Sequence, residues 1–334
     1  MTAAAPTAGD MMGGTGLSLG RLLRRNAWVV ALYILVAVLL VVTRVIKTTY
    51  GPDDFQSLTI AVLPIVFAAA AQTVAVISGG IDLSVGPVMA FTNVTAAALM
   101  FHSGEALAVP AVVLVLLLGV GVGFINGVLV VKSRVPDIVV TLAMSFVWAG
   151  AALLVLDSPG GGAAAWFMGL GDGTILIEWV PRALVVMLLV VALIWIPLRR
   201  SRIGLSFYAV GSDKLAALRS GVDVGRTKII AYAVTGLFAA CGGLTLTMST
   251  GIGTPVPGPY TLGGVAAIVL GGVSLAGGRG GMAGPIAAAF VLALIRADLV
   301  FLGVNPNYST VIQGVILVIV VMVGGAVAMR RVRS

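Results

Sequence analysis

Long apolar stretches recur along most of this 334-residue chain, and no other feature constrains its fold as strongly. The first runs from Ala27 to Ile46, and nine more follow at about 58–77, 85–101, 107–131, 138–156, 180–198, 229–249, 261–276, 284–302 and 309–328. Because about 20 apolar residues cross a bilayer as a helix, ten such segments use roughly 200 residues and leave mainly short connections. The sequence therefore predicts an all-α polytopic membrane protein with about ten transmembrane helices and no separate enzymatic domain.

Composition agrees with a membrane-embedded chain and argues against several kinds of site chemistry. Apolar residues make up 60% of the sequence and charged residues 10%, against roughly a quarter charged in soluble domains. Cys241 is the single cysteine and His102 the single histidine, so the sequence predicts no intrachain disulfide and no Cys/His metal or haem site. It also contains no Walker-type phosphate loop. We therefore expect no catalytic residue, cofactor or metal in this chain.

The basic residues predict how the chain is oriented in the membrane. With a cytoplasmic amino terminus, sixteen of the twenty Lys and Arg residues fall in cytoplasmic segments, and the other four are Arg44, Lys47, Arg182 and Arg296. The positive-inside rule therefore predicts cytoplasmic amino and carboxyl termini, as an even number of spans also requires. The net charge of +8 then reflects topology and needs no nucleic-acid partner. We expect residues 1–20 to be a disordered cytoplasmic tail and residues 21–334 to form a single transmembrane domain.

The connection at 199–228 is the longest predicted cytoplasmic segment and carries seven basic residues. The stretch from Asp213 to Arg219 consists largely of helix-forming residues, and Gly221 follows where a helix would end. We interpret it as a short amphipathic helix on the cytoplasmic surface. A basic loop that only anchors the chain to the membrane is the alternative.

A break interrupts the apolar pattern between Ser78 and Pro87, where a pair of glycines, an acid, a third glycine and a proline occur together. Ser84 is placed to cap the next helix, and Asp82 lies where a carboxylate meets the positive end of that helix. Non-helical backbone at membrane depth persists only beside protein or a water-filled cavity. Two interpretations therefore stay open for this motif, a helix cap or part of a passage through the membrane; its residues are Gly79, Gly80, Asp82, Ser84 and Gly86.

A second glycine-rich segment, Gly271 to Gly278, echoes this break and suggests an internal repeat. Polar residues within the spans are mostly neutral, and such side chains join helices more often than they bind a solute. Charges within the spans are few, which argues against a carrier driven by an ion gradient. The candidate passage residues are Gln72, Phe91, Asn93, Asn126, Gly271, Gly272 and Ser274. A smooth stripe for helix packing is predicted at Gly119, Gly121, Gly123 and Gly127.

Three motifs occur in order along the chain: Gly79 to Gly86 (GGIDLSVG), Ala209 to Val222 (AVGSDKLAALRSGV), and Leu270 to Ser274 (LGGVS) followed by Gly278 to Gly281 (GRGG). Together they resemble the ribose/xylose/galactoside-type permeases of bacterial ABC importers, and the resemblance covers about residues 25–330. It implies a permease with the type II importer fold, first known from vitamin B12 uptake, with broken helices and a coupling segment at 199–228. It also implies a location in the bacterial inner membrane.

The resemblance further implies partners for this chain. They are a second permease, identical or paralogous, two ATP-binding cassette subunits or one duplicated ATPase chain, and a periplasmic sugar-binding protein. ATP and Mg²⁺ would be bound by the partner ATPase. The permease would translocate a neutral monosaccharide or related polyol. A permease for branched-chain amino acids or nucleosides, and an ion-coupled secondary carrier, are the alternatives.

Contact with the ATPase is assigned by the same resemblance to residues of the coupling segment. Many relatives have Gly or Asn after its first glycine and often Asn next, whereas this chain has Ser212 and Asp213. The candidate coupling residues are Gly211, Asp213, Ala216, Ala217, Gly221, Arg226 and Lys228.

Overall fold

The computed structural model describes residues 26–305 together with 308, 311, 312, 314, 315 and 318. In chain order its elements are α1 (Ala27–Ile46), α2 (Pro52–Ile77), α3 (Val85–Ser103), α4 (Ala108–Ser133), α5 (Asp137–Val155), α6 (Ala165–Met168), β1 (Thr174–Ile175), β2 (Ile177–Pro181), α7 (Arg182–Arg200), α8 (Arg202–Ser212), α9 (Lys214–Arg219), α10 (Val224–Thr250), α11 (Tyr260–Leu270) and α12 (Ala283–Phe301). A short 3-10 turn at Glu105–Leu107 joins α3 to α4. The predicted tail at 1–20 and most of the predicted span at 309–328 lie outside the described residues.

Eight of these helices are long and apolar enough to cross a membrane, namely α1 to α5, α7, α10 and α12. The chain is thus a polytopic helical membrane protein, with eight candidate spans in the part that the structure describes. The predicted span at 261–276 is wrong in length, because α11 has 11 residues and ends at Leu270. Beyond it Gly272 adopts a left-handed φ of 79°, a conformation that glycine accepts and that ends a helix.

The start of α2 shows why an apolar pattern misplaces a helix end. The apolar run begins at Leu58, yet the helix begins at Pro52. Pro52 has no N–H to leave unpaired, and Asp54 accepts a hydrogen bond from the Gly51 N–H at 3.0 Å. These first-turn residues are polar or conformationally special, so a search for apolar residues passes over them.

Helices α2, α3 and α10 form the centre of the bundle, with α4 packed along α10 and α12 packed along α1 and α2. In α2 the consecutive alanines 68–71 are all buried, so neighbouring helices approach closely. By contrast α1, α5 and α7 present large apolar side chains outward; Val41, Phe146 and Leu193 are 64%, 73% and 66% exposed. Apolar surface of this extent suits lipid tails or another membrane protein.

Glycines hold α4 against α10. A Cβ atom at Gly123 would collide with the Tyr232 carbonyl, and one at Gly127 would lie 2.8 Å from the Ile229 Cα. Gly119 meets Gly236 of α10 in the same way, so the packing stripe repeats every four residues. The prediction for Gly121 is wrong, because it faces open space on another side of the helix.

The connections between helices gather at the two ends of the bundle. We name one of them the basic end, because its segments 78–84, 134–136, 201–223 and 271–282 include or adjoin most of the Lys and Arg residues. At the opposite end, Gln56 donates a hydrogen bond to Asp172 at 2.5 Å, which ties α2 to the long connection after α5. That connection contains α6 and the antiparallel pair β1 and β2, a small departure from the all-α prediction.

Candidate functional site

The break after α2 is a turn followed by a segment that runs back along the helix. Gly79 has a φ of 79°, its N–H donates to the Val76 carbonyl at 2.9 Å, and the Gly80 N–H donates to the Ala75 carbonyl at 3.0 Å. The chain then returns beside α2, where the Gln72 side-chain amide donates to the Asp82 carbonyl at 2.5 Å. Residues 81–84 therefore lie within the bundle rather than below it.

Side chains from other helices pair with peptide groups of this non-helical segment and of the first turn of α3. Thr141 of α5 donates to the Ile81 carbonyl and accepts from the Leu83 N–H, both at 3.1 Å. Thr261 of α11 accepts from the Gly86 N–H at 2.8 Å. These bonds remove the cost of burying unpaired peptide groups, so neighbouring protein supports the break.

Asp82, rather than Ser84, caps the start of α3. Its Oδ1 accepts hydrogen bonds from the Ser84 N–H at 2.8 Å and the Ser84 hydroxyl at 2.6 Å. Ser84 occupies the N-cap position, but its side chain makes no capping bond and instead accepts one from the Asn126 amide at 2.8 Å. All three side chains are buried. Asn126 in turn accepts a hydrogen bond from the Trp148 indole N–H at 3.1 Å, which extends the polar network to α5.

The three glycine motifs singled out in the sequence meet at one point of the basic end. A Cβ atom at Gly211 would collide with the Ile77 carbonyl, and one at Gly79 would lie 3.3 Å from the Gly211 Cα. From the third motif, Gly277 packs on Gly211, and the Gly278 N–H donates to the Ile77 carbonyl at 3.0 Å. We name the contact of Gly79, Gly211 and Gly277 the glycine junction. Backbone there touches backbone, so one segment cannot shift without moving the other two.

The two broken helices, α2 and α11, end in the same way, so the similarity between the two glycine-rich segments of the sequence is also a similarity of structure. At the second break the Gly272 N–H donates to the Val269 carbonyl at 3.1 Å, and the Val273 N–H donates to the Ile268 carbonyl at 2.9 Å. Gly272 therefore corresponds in structure to Gly79. Aligning the two pairs of glycines in the sequence would instead match Gly272 with Gly80, so the structural correspondence is shifted by one residue. The same kind of helix end closes α9 at Gly221, whose φ is 82°, so this ending is not specific to the breaks.

The predicted short helix exists as α9, and a second helix that the sequence did not suggest, α8, precedes it. Asp213 caps α9 by accepting hydrogen bonds from the Leu215 N–H at 2.8 Å and the Ala216 N–H at 2.9 Å. Ala217 is buried against the chain, whereas Leu215 and Leu218 are 57% and 59% exposed. Ala216 is exposed as well, so the outward apolar surface of α9 consists of two leucines and this alanine.

Other candidate coupling residues differ in their surroundings. Arg226 is exposed near the start of α10. Lys228 is only 6% exposed and pairs with Asp137, so we correct its expected position on the outer surface. On α8 the Tyr208 hydroxyl donates to the Gly280 carbonyl at 3.0 Å, and burial raises the pKa of this hydroxyl, which keeps it protonated.

The structure does not gather the candidate passage residues around one cavity. Gln72, Asn93 and Asn126 are fully buried, and their hydrogen bonds join segments of the chain. The Phe91 ring stacks on Trp148 with centroids 5.7 Å apart. Ser274 lies in the connection beyond Gly272, where its N–H donates to the Arg279 carbonyl at 3.1 Å.

A cavity of about 600 Å³ opens at the basic end between α1, α7 and the second break. Of the candidate passage residues, Gly271 and Gly272 line it, together with Trp28, Trp195 and Arg199. Among the residues that the structure describes, no group of three or more His, Cys, Asp or Glu side chains is placed to hold a metal ion.

Three features occur together in this chain: membrane-spanning helices, two breaks lined by protein, and a basic end where these breaks meet a short surface helix. Together they define a membrane-embedded transport subunit. The model of the family described as branched-chain amino acid transport system / permease component matches residues 55–321. The chain therefore belongs to this permease family.

Curated relatives match three quarters or more of the chain. The ribose import permease protein RbsC of Escherichia coli (strain K12) is 30% identical over 323 residues, which cover 91% of this chain and 96% of that protein. The fructose import permease protein FrcC of Rhizobium meliloti is 33% identical over 76% of this chain and 72% of its own length. The autoinducer 2 import system permease protein LsrD of Escherichia coli O9:H4 (strain HS) is 28% identical over 84% of each chain. No solved structure matches the chain significantly.

Proposed function

We propose that this chain is the membrane-spanning permease subunit of an ATP-driven importer that translocates a neutral monosaccharide or related polyol delivered by a periplasmic binding protein. The observation that carries this proposal is the glycine junction, which links a surface helix at the basic end to both broken helices. Relatives named for ribose and fructose import, matched over most of their length, support the choice of a sugar.

The surface helix is suited to receive a partner. Leu215 and Leu218 are exposed on α9, which is too short to cross a membrane and lies in a connection rich in basic residues. Exposed apolar side chains rimmed by charges are typical of protein contacts. We assign this surface to an ATP-binding cassette subunit, which would bind ATP and Mg²⁺; this chain would bind neither.

A movement of α9 would reach the breaks through a short, stiff path. Asp213 caps α9 directly after α8, whose penultimate residue Gly211 packs on Gly79 and Gly277. Displacement of α9 by the ATPase would therefore shift the ends of α2 and α11 together. Alternating access then follows when two permease subunits change which side of their shared passage is open.

The assembly and topology complete the proposal. The fold would be the type II importer permease fold, in which the chain crosses the membrane ten times: by the eight candidate spans, by a crossing that the 11-residue α11 completes only in part as a helix, and by the predicted span at 309–328. Both termini are cytoplasmic in the bacterial inner membrane, because the basic end carries most Lys and Arg residues. The partners are a second permease, identical or paralogous, two cassette subunits or one duplicated ATPase chain, and the periplasmic sugar-binding protein.

The decisive experiment is reconstitution of the permease with its ATPase and binding protein in proteoliposomes. We expect ATP-dependent uptake of labelled ribose or fructose, and no uptake with an ATPase variant that cannot hydrolyse ATP. Uptake of leucine or uridine but of no sugar would favour the other substrate classes of the superfamily. Uptake by this chain alone, driven by a proton or sodium gradient, would contradict the proposal.

A further inference from the structure

The connection between α10 and α11 enters the bundle instead of passing over its end. The Thr254 N–H donates to Asn93 Oδ1 at 2.7 Å. Asn93 lies ten residues before the end of α3 at Ser103, which is about 15 Å because a helix rises about 1.5 Å per residue. Further on, the Thr261 hydroxyl accepts a hydrogen bond from the Gly86 N–H, and Gly86 lies about 25 Å from the same end of α3. We name residues 251–259 the re-entrant segment.

One side of the re-entrant segment is not covered by the described part of the chain. Val256 is 68% exposed and Ile252 is 39% exposed, while Thr254 and Pro259 are also exposed. Three prolines, at 255, 257 and 259, keep the segment from forming a helix that would pair its own peptide groups. Gly253 pairs with Gly160, but the N–H groups of Val256 and Gly258 have no hydrogen-bond partner among the described residues. Peptide groups without partners at this depth cannot face lipid tails, because hydrocarbon offers no hydrogen bonds.

Arg296 lies on α12, which packs against α11. It is five residues, or about 7.5 Å, before the end of α12 at Phe301, and its side chain is exposed. No ion pair or hydrogen bond joins it to another residue in the described ranges, although it lies close enough to Tyr260 for the two side chains to interact electrostatically. An arginine within a membrane-spanning helix faces a water-filled space or a partner far more favourably than lipid.

We propose that the re-entrant segment, Tyr260 and Arg296 line the water-filled passage of the transporter, and that Arg296 and Tyr260 contact the hydroxyl groups of the passing sugar. We name this surface the Arg296 face. The inference rests on the proposed function for the identity of the solute, but the unpaired peptide N–H groups and the exposed arginine argue against lipid at this surface whatever the solute.

The chemistry of the Arg296 face fits a neutral polyol. A guanidinium presents five N–H donors in a fixed fork, and adjacent sugar hydroxyls accept such bonds, while the Tyr260 hydroxyl can both donate and accept. A neutral solute brings no opposite charge, so its contacts stay weak enough for release on the far side. The apolar side chains of Ile252 and Val256 add no strong binding group to the same surface.

Thiol accessibility in the assembled complex tests the water-filled face without any sugar. Cys241 is the only cysteine and is buried, so Cys241→Ala gives a background without a native thiol. In that background we would introduce Thr254→Cys, Val256→Cys and the control Leu193→Cys, which lies on the outer surface of α7. We expect a charged methanethiosulfonate to modify the first two cysteines and a lipid-soluble maleimide alone to modify the control.

The role of Arg296 is tested by transport of ribose in the reconstituted complex. We expect Arg296→Met to lower ribose uptake per ATP hydrolysed about tenfold, the scale of a lost charged hydrogen bond, while Arg296→Lys retains most of it. ATPase activity should stay close to that of the wild type in both variants. A merely structural role would not distinguish Lys from Met while sparing the ATPase.

The outcomes separate this inference from the proposed function. If the cysteines at 254 and 256 react like the control, or are protected in the complex from both reagents, the Arg296 face is a lipid or subunit surface and the inference is wrong. If they react with the charged reagent but the wild-type complex takes up no sugar, the water-filled face stands, and the proposed solute and its contact with Arg296 are wrong. Equal uptake by Arg296→Met and wild type would remove Arg296 from solute contact.

Discussion

Lys228 Nζ lies 2.7 Å from Asp137 Oδ1, and this ion pair joins the fifth residue of α10 to the first residue of α5 across 91 positions of the sequence. Tyr232, one turn further along α10, donates its hydroxyl proton to Asp137 Oδ2 at 3.0 Å. Gly80 packs directly on Asp137, since a Cβ there would collide with Asp137 Oδ2 and would lie 2.7 Å from the Tyr232 hydroxyl oxygen. The first break therefore rests on a charged contact between two helices, and relative movement of α5 and α10 has to carry the pair or separate it.

Removing one member of this pair should destabilise the protein strongly. The side chains are only 7% and 14% exposed, so Asp137→Asn leaves a poorly solvated ammonium and Lys228→Met leaves a poorly solvated carboxylate. We expect each to cost up to about 3–5 kcal/mol in unfolding free energy, the range for breaking a buried ion pair. Thermal unfolding of purified protein in detergent measures the loss as a lower Tm.

The double variant Asp137→Asn/Lys228→Met is the control for this prediction. It removes both charges and should recover much of the lost Tm, because neither charge is left without a partner. Additive losses in the double variant would show that the two side chains act independently and that the pair does not hold the break.

Replacing the exposed leucines of α9 should uncouple ATP hydrolysis from transport. We expect Leu215→Gln together with Leu218→Gln to reduce uptake at least about fivefold while the permease remains folded, because these side chains are more than half exposed and apolar anchors dominate protein contacts. Uptake and ATPase activity are measured on the same proteoliposomes. Ser220→Ala, an exposed change next to α9, should leave both activities unchanged.

Normal uptake by the double leucine variant would show that α9 only anchors the chain at the membrane surface. Normal binding of the ATPase to that variant, measured by co-purification, would instead place the contact on another part of the basic end. Both results would contradict the assignment of α9 as the ATPase contact.

The sequence predicts the spanning helices well because their signal is local. A long apolar run needs no knowledge of the rest of the chain, and eight of the ten predicted segments overlap the candidate spans α1 to α5, α7, α10 and α12. The exception at 261–276 arises because the apolar residues continue through the break after Leu270, where backbone geometry and not hydropathy ends the helix. The span predicted at 284–302 agrees with α12 within a residue at each end.

The site is less visible in the sequence because it is made by contacts between distant segments. The motifs at Gly79, Gly211 and Gly277 are conspicuous singly, but nothing in their spacing states that they touch. Lys228 and Asp137 each stand out as a charge at the start of a span, and only the fold pairs them. The sequence therefore predicts which segments are unusual, and the structure is needed to show that they form one junction.

A methyl group at the glycine junction should block transport more than it affects helix formation. In Gly211→Ala the new Cβ meets the Ile77 carbonyl and the Gly278 amide, both backbone groups that cannot turn aside. We expect uptake to fall about tenfold or more, since overpacking of this kind costs typically 1–3 kcal/mol and displaces backbone. Gly121→Ala, which places its methyl in open space on α4, is the matched control and should transport normally.

Comparable uptake by Gly211→Ala and Gly121→Ala would show that the junction yields without consequence. A lower Tm in Gly211→Ala with normal uptake per folded molecule would assign the contact to stability alone. In either case the path proposed from α9 to the breaks would be wrong.

Asp82 should act through the hydrogen bonds that it accepts and not through its charge. Asn at this position keeps an oxygen for the Ser84 N–H and hydroxyl, whereas Leu removes the acceptor and leaves both donors buried without it. We expect Asp82→Asn to retain most uptake, and Asp82→Leu to lose about 0.5–2 kcal/mol of stability, the range for a lost helix cap, together with much of the uptake. Tm and ribose uptake of the two variants decide the matter. Equal damage by Asn and Leu would mean that the carboxylate itself is required. If the wild type also showed a pH-dependent uptake rate that Asp82→Asn abolishes, protonation of Asp82 would be part of transport. A carrier driven by an ion gradient would then be the better explanation.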